Sequence, residues 1–539
     1  MNNLKKHFSD IGKLYGYQED SLKKILSGKN ALTIAPTGGG KSLIFQLAAL
    51  ELGGTTIVVS PLKALMDEQI KDLQQRGVQA IQINSDIPFI EQRKILRNLH
   101  ESKPQLIYVS PERLSNYFFR SALGLSNLDI KLVVIDEAHC ISQWGHDFRP
   151  DYCNILPFVK YIRSAGNTPV VYALTATLGE KAREDIKKEF DISNEDEIIS
   201  KGVIRKNINM SFVEVDKEDS KWEKMTQFIE VNNLKKVLVY LYSRKKAENF
   251  AEQLVGSDYF HAFMTAERKE SIMENFKKGN IKVLFATTAF GMGINIPDID
   301  GVIHYQLPGS IEEYYQHVGR GARNITCCPD CKCLLLWSAT NFDREAGNIR
   351  GDTLTGEKLN KGLKHLGLEN KAGKKSYIRW EEIYNNDGSY GSVKLPLILK
   401  YFTQYKICDI VGDIYGNPQD IVFKRNTDLW NKVLHAIGIR NQFIIAEKKS
   451  GIPMQELIDH VYQEELKGNI DKLPAKDRLL FLYSYVDSLP DETINKIVED
   501  SKRIEEFKLL RLKELQYLCE TPGLDPHQYI ADVLKVPYC

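Results

Sequence analysis

Apolar positions in this chain fall into two arrangements, unbroken runs and helix-spaced stripes, and the two alternate. The runs Ala31–Ile34, Leu132–Ile135, Val237–Tyr242, Val283–Ala286 and Val302–Tyr305 show no in–out alternation. Such runs predict strands buried on both faces of a parallel sheet. Helical stretches such as Asp20–Leu26 and Leu43–Leu50 accompany them. The alternation predicts an α/β fold with two successive doubly wound parallel sheets.

Beyond residue 342 the pattern loosens. Gly351–Arg379 is rich in lysine and glycine, with Lys358, Lys361, Lys364, Lys371, Lys374 and Lys375. It reads as a flexible or partly helical linker, either touching phosphates or simply solvated. Trp380–Tyr384 and Val393–Tyr405 then read as helices, and Ile407–Val411 and Asp420–Lys424 as strands around a Gly412–Pro418 turn. That order suggests a winged-helix domain. From Asn426 onward the pattern is helical, with Ile494, Ile497, Ile504, Phe507, Leu515 and Leu518 as its core positions. The expected divisions are residues 1–204, 205–342, a basic linker over 343–379, a winged helix over 380–426 and a helical region over 427–539.

Length agrees with this division, since 539 residues exceed what one core supports. Lys plus Arg number 72 against 71 acidic residues, so binding to nucleic acid has to come from local basic surfaces, not from a global field. Residues 1–10 lack the apolar core of a signal peptide, and no apolar run approaches a membrane span. With nine cysteines and no secretory feature, a reducing compartment is expected: cytoplasm, associated with the nucleoid, or a nucleus.

Candidate chemistry sits at the ends of the runs. After Ala31–Ile34 comes Ala35-Pro36-Thr37-Gly38-Gly39-Gly40-Lys41-Ser42, a glycine turn opening a helix. Glycines leave backbone N–H groups free to face phosphates, Lys41 adds a cation for the β- and γ-phosphates, and the Ser42 hydroxyl suits Mg²⁺. After Leu132–Ile135 comes Asp136-Glu137-Ala138-His139. One carboxylate can hold Mg²⁺ with Ser42 while its neighbour polarises water. The following loop carries Trp144, Phe148 and Arg149, either a stacking and phosphate-binding set or ordinary loop-anchoring aromatics. In Tyr314–Asn324, Arg320 and Arg323 lie three apart, which would place them on one helix face aimed at a γ-phosphate.

These segments closely resemble the RecQ family of DNA helicases over roughly residues 13 to 340. The run Trp144-Gly145-His146-Asp147-Phe148-Arg149-Pro150 is the most family-specific, with Ala289-Phe290-Gly291-Met292-Gly293-Ile294-Asn295 beside it. The resemblance implies two RecA-like lobes joined near Arg205–Ile208, and ATP with Mg²⁺ as the fuel. It assigns Gln18 to adenine reading, with Tyr15 where the family usually has arginine. It gives Lys41, Asp136, Glu137, His139, Gln316, Arg320 and Arg323 to hydrolysis, His139 linking the site to the second lobe. Lys63 (within Ser60–Met66), Arg113, Ser243 and Thr288 would line a single-strand track, and Thr175 and Thr177 would couple the lobes. The implied activity is 3′-to-5′ translocation and unwinding of tailed DNA duplexes, in repair or recombination. The alternatives are a translocase that hardly unwinds and a DNA-stimulated ATPase subunit of a larger DNA-processing or defence assembly. Protein partners would meet the helical C-terminal region.

One cluster falls outside that pattern. Cys328 and Cys331 have the spacing of a zinc knuckle, with Cys333 or Cys327 in reach and Cys408 the nearest distant candidate. The competing reading is a reduced loop whose Cys333 enters the strand Leu334–Trp337.

Overall fold

The computed structural model describes residues 2–538 except 85, 143, 145–148, 289, 291–295, 380–381, 384–394, 416–421, 424–426, 430, 433–449 and 473–477. The first lobe is a seven-stranded sheet made of β1 (Ala31–Ile34), β2 (Thr55–Val59), β3 (Ala80–Ile83), β4 (Leu106–Val109), β5 (Ile130–Ile135), β6 (Val170–Thr175) and β7 (Glu197–Ile199). Its strand order is β3-β4-β2-β5-β6-β1-β7, and every pairing is parallel. β1, β4 and β6 are buried along their whole length, which is why their sequences are apolar or aromatic without alternation. Register sets Ile34 beside Thr175, and Ile135 beside both Val59 and Ala173. The carboxyl ends of β1, β5 and β6 therefore open together, the position where sheets of this class bind ligands.

The second lobe repeats the plan with β8 (Ile208–Glu214), β9 (Val237–Tyr240), β10 (Ser257–Phe260), β11 (Val283–Ala286), β12 (Gly301–His304) and β13 (Cys331–Trp337), in the order β10-β11-β9-β12-β13-β8. All of its pairings are parallel as well. The expectation of two doubly wound parallel sheets holds.

The C-terminal third corrects two expectations and takes the partly helical alternative of a third. The linker over 343–379 is folded, with helices Ala339–Gly351 and Gly356–His365 and strand β14 (Lys374–Arg379). Leu359 and Leu363 on the second helix are buried, and the cost of ordering the lysine-rich chain is offset by that burial. Strand β15 runs over Cys408–Tyr415, and among the described residues of 420–424, which are 422–423, none pairs with it. Instead β18 (Arg478–Ser484) pairs antiparallel with both β14 and β15, giving the order β14-β18-β15. β16 (Val422–Phe423) pairs with β17 (Ile470–Lys472). The region beyond 427 is thus not purely helical. Non-local strand pairing carries no short-range signal, so the apolar runs could be read but not their partners. Of the helix expected over 380–384, only residues 382–383 are described, as helical; the rest, and the turn residues 416–418, lie outside the described residues. The helix Leu395–Gln404 packs in the core of this unit, near the expected 393–405.

The chain ends in a helix of 30 residues, Asp491–Glu520, and a shorter one, Pro526–Leu534. Leu512, Leu515 and Leu518 are buried in an apolar cluster that runs through both lobes, so this helix is part of the two-lobe body. No described helix is long and apolar enough to cross a membrane.

Candidate nucleotide site and its link to the second lobe

The phosphate loop is built by local chemistry. Gly38 and Gly40 take φ values of +78° and +76°, conformations that L side chains rarely adopt. Gly40 directly precedes helix Lys41–Leu52, so free N–H groups and the positive end of the helix dipole face the same hollow. Lys41 lies on this loop, its Nζ donating to the carbonyls of Ala35 at 3.0 Å and Pro36 at 3.1 Å. Burial pushes its pKa down, and Asp136 and Glu137 pull it back up. Ser42 Oγ accepts a bond from Gln69 Nε2 at 2.9 Å, and Gln69 Oε1 accepts one from Tyr108 at 2.9 Å. Gln69 was not legible as a site residue, because nothing in its neighbourhood announces it.

Tyr17 and Gln18 brace the loop from outside. The Tyr17 hydroxyl donates to the Gly39 carbonyl, and Gln18 Nε2 donates to the Gly40 carbonyl at 3.0 Å. Gln18 Oε1 accepts the Tyr15 N–H at 2.8 Å, and only 3% of the residue is exposed. Both ends of the amide are therefore engaged with the chain itself.

The acidic pair lies across the hollow at the end of β5. Asp136 accepts bonds from Ser60 Oγ and from the Glu137 N–H, each at 3.0 Å. Burial, followed by the charge of Glu137, pushes Asp136 up to about 7. Burial also works against the charge of Glu137, but His139, Lys41 and Arg320 outweigh it and pull this carboxyl down. Two carboxylates this close cannot both ionise freely, and the surrounding cations choose which one stays charged. Glu137 also holds φ at +49°, a strained backbone of the kind found at functional sites. His139 is fully buried, with Nδ1 3.3 Å from Glu137 Oε2 and 3.0 Å from Thr175 Oγ1. Thr175 in turn donates to the Thr177 carbonyl at 3.4 Å. Ser42 and Asp136 are hard oxygen donors, and the raised Asp136 carboxyl is one that a cation would relieve. The pair fits Mg²⁺ chemically.

The arginines come from the second lobe, and here the structure departs from the reading above. The helix Ile311–Val318 carries Gln316 but stops before Arg320 and Arg323, which lie in the turn that follows. Ala322 at φ +43° breaks the helical path. What shapes the turn is Arg205: its guanidinium donates to the carbonyls of Gly319 at 3.2 Å, Gly321 at 2.5 Å and Ala322 at 2.9 Å. A sidechain carbon of Arg323 lies 3.5 Å from where a Cβ on Gly38 would be, and Thr37 Oγ1 lies 3.7 Å from the same point on Gly319. The second lobe thus closes directly onto the phosphate loop.

The remaining candidates scatter. Lys63 pairs with Asp86 at 2.6 Å. Ser243 caps helix Arg244–Gln253 by accepting the Lys246 N–H, and Thr288 is exposed beside a small cleft lined by Tyr242 and Pro308. Arg113 is buried, not presented on a surface track. Trp144 is half-buried against Lys181 and Phe507, and the Arg149 N–H donates to the Cys140 carbonyl at 2.9 Å. Phe148, Ala289 and residues 291–295 lie outside the described residues.

The structure gives the zinc reading no support and favours the reduced-loop reading. Among the described residues no group of three His, Cys, Asp or Glu side chains is placed to hold a metal ion. Cys331 and Cys333 alternate along β13 so that both sulfurs point into the core, 3.7 Å apart. Cys328 is directed to the carbonyls of Ile299 and Asp330. Burial pushes the Cys328 thiol up to about 12.

Comparison with known proteins places this geometry. The DEAD/DEAH box helicase family model matches residues 15–186, and the helicase conserved C-terminal domain model matches residues 220–325. The chain is 36% identical over 341 residues to the ATP-dependent DNA helicase RecQ of Bacillus subtilis, covering 62% of this chain and 56% of that protein. To RecQ of Pasteurella multocida it is 37% identical, with 58% and 49% covered. To the probable ATP-dependent DNA helicase RecS of Bacillus subtilis it is 33% identical, with 64% and 68% covered. The chain thus spans about half the length of the RecQ relatives it matches. Among solved structures, the DUF1998 helicase MrfA bound to DNA aligns with a TM-score of 0.53 at 16% identity, over 76% of this chain and 58% of that one. Mss116p bound to single-stranded RNA and AMP-PNP aligns at 0.51 and 18% identity, over 63% and 73%. At those identities the structures show a shared fold: two RecA-like lobes.

Proposed function

This chain belongs to the RecQ family of superfamily 2 helicases, and from that premise we propose that it is an ATP-dependent DNA helicase that moves 3′ to 5′ on single strands. The observation that carries the proposal is the closure of the second-lobe arginines onto the phosphate loop, opposite an acidic pair of split character. Lys41 and the N–H groups of the loop hold the β- and γ-phosphates. Ser42 and Asp136 would hold Mg²⁺, which would supply positive charge to shield the phosphate oxygens. Glu137, kept ionised by His139, Lys41 and Arg320, orients and deprotonates the attacking water. Arg320 and Arg323 neutralise charge on the γ-phosphoryl group as it leaves. Their reach depends on how the lobes sit, so hydrolysis and lobe movement are one event.

DNA enters through the first-lobe loop, where Trp144, Phe148 and Arg149 supply ring and cation, and through the surface around Lys63, Ser243 and Thr288. His139 bonds to Thr175, and Thr175 bonds to the Thr177 carbonyl, a chain that we read as coupling the lobes. We take the sheet β14-β18-β15 with helices Gly356–His365 and Leu395–Gln404 as the winged-helix unit, which would meet the duplex ahead of the lobes. Repair or recombination is the setting this activity suits.

The test is ATP hydrolysis and strand separation measured together on duplexes with a 3′ tail, a 5′ tail or blunt ends. Unwinding of the 3′-tailed substrate alone is expected. DNA-stimulated hydrolysis with no strand separation on any of the three would leave a translocase or an assembly subunit instead.

A further inference from the structure

The long C-terminal helix Asp491–Glu520 takes no part in the site described, yet it touches both lobes at the points that set their spacing. Phe507 packs edge-on against Trp144 of the first lobe, with ring centres 5.1 Å apart at 87°. Lys181 Nζ, also from the first lobe, lies 4.6 Å from the Trp144 ring and 5.0 Å from the Phe507 ring. One turn further on, Arg511 stacks on Phe507 at 4.9 Å and pairs through Nε with Glu312 Oε1 at 3.1 Å. Glu312 is in the helix Ile311–Val318, whose end leads into Arg320. Arg511 and Glu312 are 9% and 5% exposed, and they abut Gly179 of the first lobe, where a Cβ would lie 3.2 Å from Arg511 Nη2 and 3.3 Å from Glu312 Oε1.

The rest of the helix is anchored away from the first lobe. Glu505 accepts a bond from Thr353 at 2.6 Å, and Ser501 Oγ accepts one from the Leu354 N–H at 2.9 Å. The closing helix Pro526–Leu534 places His527 against the Ile208 carbonyl of β8 at 2.8 Å. The helix is thus fastened to the second-lobe side, there also through the buried Arg511–Glu312 pair, and meets the first lobe through Trp144, Lys181 and the close approach of Arg511 to Gly179.

We propose that the C-terminal helix straps the lobes in the closed arrangement, making Phe507 and Arg511 positioning residues for ATP hydrolysis in the absence of DNA. The proposal rests on reading the site as an ATPase. A buried ion pair is a strong registry device, because losing either partner strands a charge. An aromatic contact with a cation over both rings adds orientation. Together they do for this chain what a nucleic-acid strand spanning both lobes would do: they lower the cost of bringing Arg320 and Arg323 to the phosphate. When DNA also spans the lobes, the strap becomes redundant.

The experiment is steady-state ATP hydrolysis by the full chain with Mg²⁺, with and without a saturating single-stranded oligonucleotide. Phe507→Ala and Arg511→Met should each lower DNA-free kcat by about tenfold with KM for ATP little changed, a typical coupling between two states. Arg511→Lys keeps the charge beside Glu312 and should recover most of the loss. Lys181→Ala, an exposed position that does not threaten folding, should lower DNA-free kcat by about threefold. With the oligonucleotide present, all four variants should return to the parent kcat. Equal losses with and without DNA would make the helix a structural prop, and unchanged DNA-free rates would remove the strap altogether. A parent chain that hydrolyses no ATP under either condition would sink the ATPase reading itself, an outcome separate from both.

Discussion

The phosphate loop of the first lobe and the arginine turn of the second face each other across the same hollow, but they are held in opposite ways. The phosphate loop is shaped mainly from within: glycines at positive φ, a strand before it and a helix after it specify its path over about ten residues, and Tyr17 and Gln18 only brace it. The arginine turn is shaped from outside, by Arg205 reaching more than a hundred residues along the chain to hold three of its carbonyls. The first is a local motif. The second is a tertiary device whose conformation belongs to the lobe as a whole, and that difference suits their roles: a phosphate cradle must pre-exist, whereas a catalytic arginine has to come and go.

The largest expected effect tests the cradle side. Glu137→Gln should still bind nucleotide but lose about a thousandfold in kcat, within the range for a positioned general base. Near-parent turnover would remove Glu137 from the reaction. Next comes the turn. Arg205→Met touches no nucleotide, yet it should cost about a hundredfold in kcat with nucleotide affinity preserved, the penalty of an ångström-scale misplacement of Arg320 and Arg323. If affinity fell and kcat held, Arg205 would be a stabilising residue only and the contrast between the two loops would be wrong.

Smaller effects sharpen the cradle. Asp136 is pushed up to about 7 by burial and by Glu137, so it gains a proton as pH falls through that value. A neutral carboxyl holds a cation poorly. Mg²⁺-dependent nucleotide binding should therefore weaken by up to about tenfold per pH unit below about 7, as one proton competes with one cation. The same shift means that Asp136 favours the folded state at low pH and that this contribution is lost as pH rises from about 4 through about 7. Asp136→Asn should flatten the binding profile, and a steep profile surviving in that variant would place the titrating group elsewhere. Finally, Gln69→Leu frees the Ser42 hydroxyl from its partner. Titration of the activating metal should show about a tenfold weaker Mg²⁺ requirement curve, the lower end for losing an outer partner of a metal ligand. Overlapping curves would show that Ser42 needs no such support.

Legibility in the sequence followed the range of the interactions. The Lys41 loop, the Asp136–Glu137 pair and the two parallel sheets could be read because each is encoded within a strand and its adjoining turn. Arg320 and Arg323 were legible as residues but not as geometry, since the helix expected to carry them ends at Val318. Cys328 and Cys331 had the spacing of a knuckle, but spacing says nothing about which way a strand turns its side chains. On β13 Cys331 turns inward with Cys333, while Cys328 lies in the turn before it. The antiparallel partner of β15 was beyond reach, being more than sixty residues away, past the turn that suggested a nearer partner.

By itself, then, the sequence determined what short-range physics can determine: strands buried on both faces, a glycine cradle at a helix start, and the residue types needed for phosphate chemistry. Only the tertiary structure decided how those parts meet: that Arg205 forms the arginine turn, that Gln69 holds Ser42, that Gln18 turns its amide inward, and that Phe507 and Arg511 tie the C-terminal helix to both lobes. The physical reason is that local preference constrains φ and ψ a few residues at a time. The partner of a buried charge or ring is chosen by packing, which brings together residues the chain keeps far apart.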